Sequence, residues 1–81
     1  MTRALIADDE PLLREHLASH LERRWPALQI VAQARNGREA VELFEDLAPD
    51  IVFLDVHMPG LNGLEAARAI GRRAHLVFVT A

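Results

Sequence analysis

The chain has 81 residues, 51% of them hydrophobic and 26% charged, which fits one small globular domain and excludes a disordered segment or a pair of domains. A net charge of −3 leaves no basic footprint for nucleic acid or an anionic membrane, and no apolar run approaches the roughly 18 residues of a membrane span. With no Cys there is neither a disulfide nor a thiolate metal site, and no signal-peptide layout opens the chain, so the reading is a soluble protein of a reducing, cytoplasmic compartment.

Arg3 to Ala7 form a short apolar run that stops at Asp8-Asp9-Glu10. Pro11 suits the first position of a helix, and acids just ahead of it suit the positive end of the helix dipole. Leu13, Leu17 and Leu21 recur every four residues with Leu12 alongside, which predicts a helix with one apolar stripe. Arg23-Arg24 suits its negative end, and Trp25-Pro26 stops it. Leu28, Ile30, Ala32 and Ala34 alternate with Gln29, Val31 and Gln33, the pattern of a strand with one less buried face. Asn36-Gly37 signals a turn, after which Ala40, Leu43, Phe44 and Leu47 share one side of a second helix ending at Pro49-Asp50. Ile51 to Leu54 is continuously apolar, as in a strand covered on both faces. A loop over residues 55–63 carries Met58, Pro59, Gly60 and Gly63, and a third helix from about Leu64 to Arg72 turns Leu64, Ala67 and Ile70 inward. Leu76 to Val79 is a fourth apolar run, followed by Thr80-Ala81.

Strands alternating with helices predict a doubly wound parallel α/β sheet with right-handed crossovers. In such a sheet all strands end along one edge, here at Asp8-Asp9, Asp55 and Thr80. With the strand order 2-1-3-4, the first and third strands are neighbours at the switch point where ligands bind, and Asp8, Asp9 and Asp55 converge on one pocket. Three carboxylates repel one another unless a cation intervenes, and Mg2+, a hard ion that takes oxygen ligands and keeps several waters, is the natural partner. The backbone carbonyl of His57 offers a further oxygen. Asp55 is placed to attack phosphorus and form an acyl phosphate, and the Thr80 hydroxyl to meet a phosphoryl oxygen. Each feature alone has a plainer reading: Asp8-Asp9-Glu10 as a helix cap, Asp55 as a strand end, Met58-Pro59-Gly60 as a turn. Their joint placement favours the phospho-acceptor. His16 and His20 stand at a zinc-binding spacing, but Leu17 replaces the glutamate of the metalloprotease motif, so they read as partly exposed helix histidines.

The segments "LIADDEP", "DIVFLDVHMPGLNGLE" and "VFVTA", in that order at strand ends, resemble the receiver domain of two-component response regulators. The resemblance implies a flavodoxin-like receiver fold and a role for each matching residue. Asp55 matches the phospho-accepting aspartate; Asp8 and Asp9, with Asp55 and the main-chain carbonyl of His57, match the Mg2+ site. Thr80 matches the hydroxyl residue that senses the phosphoryl group, and Ala81 the small residue beside it. A sensor histidine kinase is the implied donor. The stretch "ADDEPLLREHL" with "TA" resembles regulators that carry a LytTR-type DNA-binding domain.

Family members continue through two further helices and a fifth strand, whose terminal lysine pairs with the phosphoryl group. This sequence contains no Lys. The expectation is therefore an incomplete receiver, with residues 1–81 as the N-terminal part of the domain and no direct contact with nucleic acid or membrane. Leu76 to Val79 would be an apolar edge strand through which the chain self-associates, with signalling impaired. Two other functions fit parts of the same pattern. A phosphohydrolase of the haloacid dehalogenase type also uses an aspartate after an apolar strand, but it needs an acid where His57 stands. The other is an assembly module without phosphotransfer.

Overall fold

Four parallel strands lie in the order β2-β1-β3-β4, the doubly wound topology anticipated from the alternation of elements. The computed structural model describes residues 1–79, so the expected roles of Thr80 and Ala81 fall outside the described residues. In chain order the elements are β1 (Arg3–Ala7), α1 (Pro11–Arg24), β2 (Gln29–Ala34), α2 (Gly37–Leu47), β3 (Ile51–Asp55), α3 (Gly63–Ile70) and β4 (His75–Val79), with a 3-10 turn over Gly71–Arg73 before β4.

Because side chains alternate along a strand, β1 and β3 feed two cores. Leu5, Ala7, Val52 and Leu54 pack with Phe44 of α2, with Ala66 and Ile70 of α3, and with Met58. Ala4, Ile6 and Phe53 pack on the other side with Ala18 of α1 and with Leu28. Leu5, Ile6, Val52, Leu54 and Ile70 are fully buried, each stabilising the fold by about 1.5–3 kcal/mol. The continuous apolar runs of β1 and β3 thus follow from their central places in the sheet.

Helix ends are set by identifiable groups. Asn36 caps α2, its side chain accepting from the Glu39 N–H at 2.8 Å. Asn62 and Glu65 form a reciprocal capping box at the start of α3. The last turn of α2 holds no basic residue, and Arg3 of β1 supplies the cation, its Nη1 donating to the Leu47 carbonyl at 2.5 Å. Arg73 donates to the Ala69 and Ile70 carbonyls at the end of α3, pairs with Glu45, and stacks 5.0 Å from the Phe44 ring centroid. It thus ties the two helices together near the start of β4, at the sheet edge opposite the strand tips.

Three expectations need correction. In α1 the inward residues are Leu17, Ala18 and Leu21, while Leu12 is 68% exposed and Leu13 lies on an open flank. At about 100° per residue Leu12 stands far round the helix from Leu17 and Leu21, whereas Leu13, four residues before Leu17, is on the same side but left uncovered. In α3 Ile70 and Ala67 pack on the core as expected, together with Gly63 and Ala66, but Leu64 is 53% exposed, because it stands well round the helix from Ala66 and Ile70. The same helix ends at Ile70, where Gly71 adopts φ 63°, rather than running to Arg72. Among the described residues β4 pairs only with β3, and Phe78 is 45% exposed.

The C-cap of α2 is Ala48, with φ 44° and ψ 58°, while its N–H donates to the Phe44 carbonyl at 2.8 Å. A residue with a Cβ is strained there by about 1–2 kcal/mol, and glycine gives back about 0.4–1 kcal/mol of that through the freedom of its unfolded chain. Ala48→Gly is expected to raise unfolding stability by about 0.5–1 kcal/mol, measured by urea denaturation with an unchanged m-value.

Candidate functional site

The register that pairs Ala7 with Leu54 makes Asp8 and Asp55 leave the sheet side by side. Asp8 is only 7% exposed, and its turn is held by several bonds. Its N–H donates to the Ala34 carbonyl at 3.0 Å, and its Oδ1 accepts from the Glu10 N–H at 2.9 Å. Its carbonyl accepts from Arg14 Nη1 at 2.6 Å. Asp9 is exposed, and Asp55, at the tip of β3, is half-buried. One carboxylate oxygen from each of Asp8, Asp9 and Asp55 lies within 4.8 Å of the others. His16 and His20 join no such cluster among the described residues.

This crowding has an electrostatic signature. Burial pushes the Asp55 carboxyl above its ordinary 3.8; the His57 N–H, donating to Oδ1 at 3.1 Å, opposes that rise, and the Asp8 and Asp9 carboxylates add to it. The cluster is therefore an unbalanced concentration of negative charge. Its oxygen-only donor set and small span fit a hard divalent cation such as Mg2+.

The loop after Asp55 is built to stay close to it. Met58 is buried in the core against α2 and α3, and Gly60 takes φ 72° beside the exposed Pro59. Gly63, expected in the loop, is the first residue of α3, and its N–H donates to the Val56 carbonyl at 3.2 Å. A Cβ on Gly63 would overlap the Asp55 carbonyl oxygen, and one on Gly37 would overlap the Leu61 carbonyl oxygen. Sequence reasoning missed Gly37 as a packing site and Arg14 as a partner of Asp8. For Gly37 the only sequence signal was the Asn-Gly pair, which reads as a turn. Between α1 and the ends of β3 and β4, Leu13, His16, Leu17 and His20 line a groove of about 480 Å³ with Val79, opening onto Asp55.

Residues 4–81 match the response regulator receiver domain family. The chain belongs to that family. This receiver is 49% identical over 81 residues to an uncharacterized response regulatory protein of Vibrio cholerae, covering 96% of this chain and 31% of the relative. Its fold superposes on the response regulator domain of Thermotoga maritima CheB with a TM-score of 0.91 at 33% identity, covering 99% of this chain and 60% of that one. It also superposes on one chain of the CheX-CheY complex of Borrelia burgdorferi with BeF3 and Mg2+, with a TM-score of 0.90 at 26% identity, over 99% of this chain and 62% of that one. The chain thus spans about a third of the first curated relatives and about three fifths of the solved receivers. No helix of the described residues is long and apolar enough to cross a membrane.

A carboxyl whose folded pKa is raised favours its protonated form in the fold. Its contribution to stability is full below the unfolded value near 3.8 and is lost as pH rises through the raised folded value. In metal-free protein, Asp55→Asn is expected to melt above wild type at about pH 7, and the gap to close below about pH 4. Thermal melts in chelator at the two pH values check this.

Proposed function

We propose that this receiver is a phospho-accepting module of two-component signal transduction, with Asp55 taking a phosphoryl group from a sensor histidine kinase. The observation that carries the reading is the gathering of Asp8, Asp9 and Asp55 within 4.8 Å at the tips of β1 and β3. Family membership and the BeF3- and Mg2+-containing complex among the fold neighbours support it.

Asp8, Asp9, Asp55 and the main-chain carbonyl of His57 are the residues assigned to hold Mg2+. The ion, when bound, offsets the charge of the carboxylates and of the phosphoryl oxygens. The His57 N–H occupies Oδ1 of Asp55 and orients the carboxylate. Attack by an Asp55 oxygen on phosphorus forms the O–P bond of an acyl phosphate as the P–N bond to the donor imidazole breaks, and the leaving nitrogen keeps the electron pair. Met58 and Gly63 hold the loop against the strand tip, and Pro59 and Gly60 form its exposed turn. Thr80 and Ala81 are assigned the phosphoryl-sensing positions. The chain acts as a substrate of the kinase rather than as an enzyme in its own right, and a cytoplasmic setting follows from that partnership.

Incubation with Mg2+ and acetyl phosphate is expected to add one phosphoryl mass at Asp55, lost on chelation and absent in Asp55→Asn; intact-protein mass spectrometry reads the result. No adduct on a chain extended through the fifth strand and its lysine would remove the reading, whereas none on the 81 residues alone would show that those parts are needed. A second expectation concerns assembly. Because β4 shows Val77 and Phe78 partly exposed and pairs only with β3 among the described residues, the 81-residue chain is assigned a self-association through that strand. Sedimentation velocity at micromolar concentration should show a dimer or larger species, and a single monomer peak would reject it.

A further inference from the structure

We propose that Arg14 is a positioning residue for the acidic pocket, its guanidinium holding the Asp8 carbonyl and so fixing the turn that presents Asp8 and Asp9 to a divalent cation. The inference rests on the reading of that pocket as the Mg2+ site.

The turn between β1 and α1 has an unusual set of anchors. Glu10 stands at the N-cap of α1 yet makes no side-chain cap bond, so the device that normally fastens a helix start is missing. Asp8 takes over part of that role from outside the helix, accepting the Glu10 N–H on its Oδ1 at 2.9 Å. That creates a conflict, because the carboxylate organising the turn is also one of the three that would meet the cation. Arg14, in the second turn of α1, offers an anchor independent of any carboxylate. Its Nη1 reaches back to the Asp8 carbonyl at 2.6 Å, while its own N–H donates to the Glu10 carbonyl at 3.1 Å. The side chain is half-buried, which limits competition from water for this charge-assisted bond. With Arg14 in place the backbone of the turn is fixed by groups that coordinate nothing. Without it, the turn is held chiefly by the Asp8 N–H on Ala34 and by the carboxylate itself.

Charge and position make opposite predictions, and that separates them. A guanidinium has the same sign as the metal, so by Coulomb repulsion alone its removal would tighten Mg2+ binding. As a positioning residue its removal must weaken it. The test is calorimetric titration of the full chain with MgCl2, on wild type, Arg14→Ala, Arg14→Lys and Asp55→Asn. Arg14→Ala is expected to bind Mg2+ about tenfold more weakly, and Arg14→Lys, which restores charge and one donor, to bind more tightly than Arg14→Ala. In metal-free protein the Glu10 amide should exchange faster in Arg14→Ala than in wild type. Binding by Arg14→Ala equal to or tighter than wild type overturns the inference. So does Arg14→Lys binding no better than Arg14→Ala, or Glu10 exchange that does not change. If Arg14→Ala does not fold, Arg14→Lys against wild type carries the comparison, and equal affinity and equal Glu10 exchange overturn the inference. Wild type that takes up no Mg2+, or takes it up undiminished in Asp55→Asn, overturns the reading of the pocket and the inference with it. The Glu10 exchange rate then reports separately whether Arg14 fixes the turn.

Discussion

The parallel pairing of β1 with β3, with Ala7 opposite Leu54, is the constraint on which the rest of the molecule depends. It brings the ends of two strands together, and the residues next in line are both acids. A shift of one residue in either strand would turn its fully buried side chains toward the other face and carry its acid out of the pocket. The same burial that makes β1 and β3 the core therefore fixes the register that gathers the charge. Stability and chemistry are set by one alignment, and the electrostatic cost of three neighbouring carboxylates is borne by a well-packed pair of strands.

Most of this was legible in the sequence because the signals are physical and local. The runs Arg3–Ala7 and Ile51–Leu54 are apolar on both faces, and only a central parallel strand needs that. The acid triplet before Pro11, and Asp55 before the Met58-Pro59-Gly60 break, marked the shared edge. What was not legible depends on distance in the chain. Arg14 and Asp8 meet through a side chain reaching back over a turn, and any arginine at the start of a helix looks the same on paper. Gly37 meets Leu61 across 24 positions, and an Asn-Gly pair announces only a turn. Leu12 and Leu64 misled because a periodic count of apolar residues does not fix the phase of a helix. The face that turns inward is decided by what the sheet and the neighbouring helix bury, as Ala66 and Ile70 show.

The two sides of the sheet are unequal. The face under α2 and α3 is closed by Phe44, Met58 and Ile70, and the Arg73 side chain fastens those helices to each other. The face under α1 is thinner: one helix covers it through Ala18, Leu17 and Leu21, with a groove left between that helix and the ends of β3 and β4. The acidic pocket lies at the junction, with Asp55 backed by the closed side and lining the groove of the open one. This unevenness accounts for an aspartate that is partly desolvated yet still reachable.

The glycine contacts carry a mechanical consequence. At Gly37 against Leu61, and at Gly63 against Asp55, main chain rests on main chain with no side chain between. A Cβ at either glycine would have to displace the facing carbonyl, which a change of rotamer cannot relieve. The tip of β3 therefore lies directly against the first turn of α3, and the loop that follows against the first turn of α2, so neither contact leaves room for a side chain of any size.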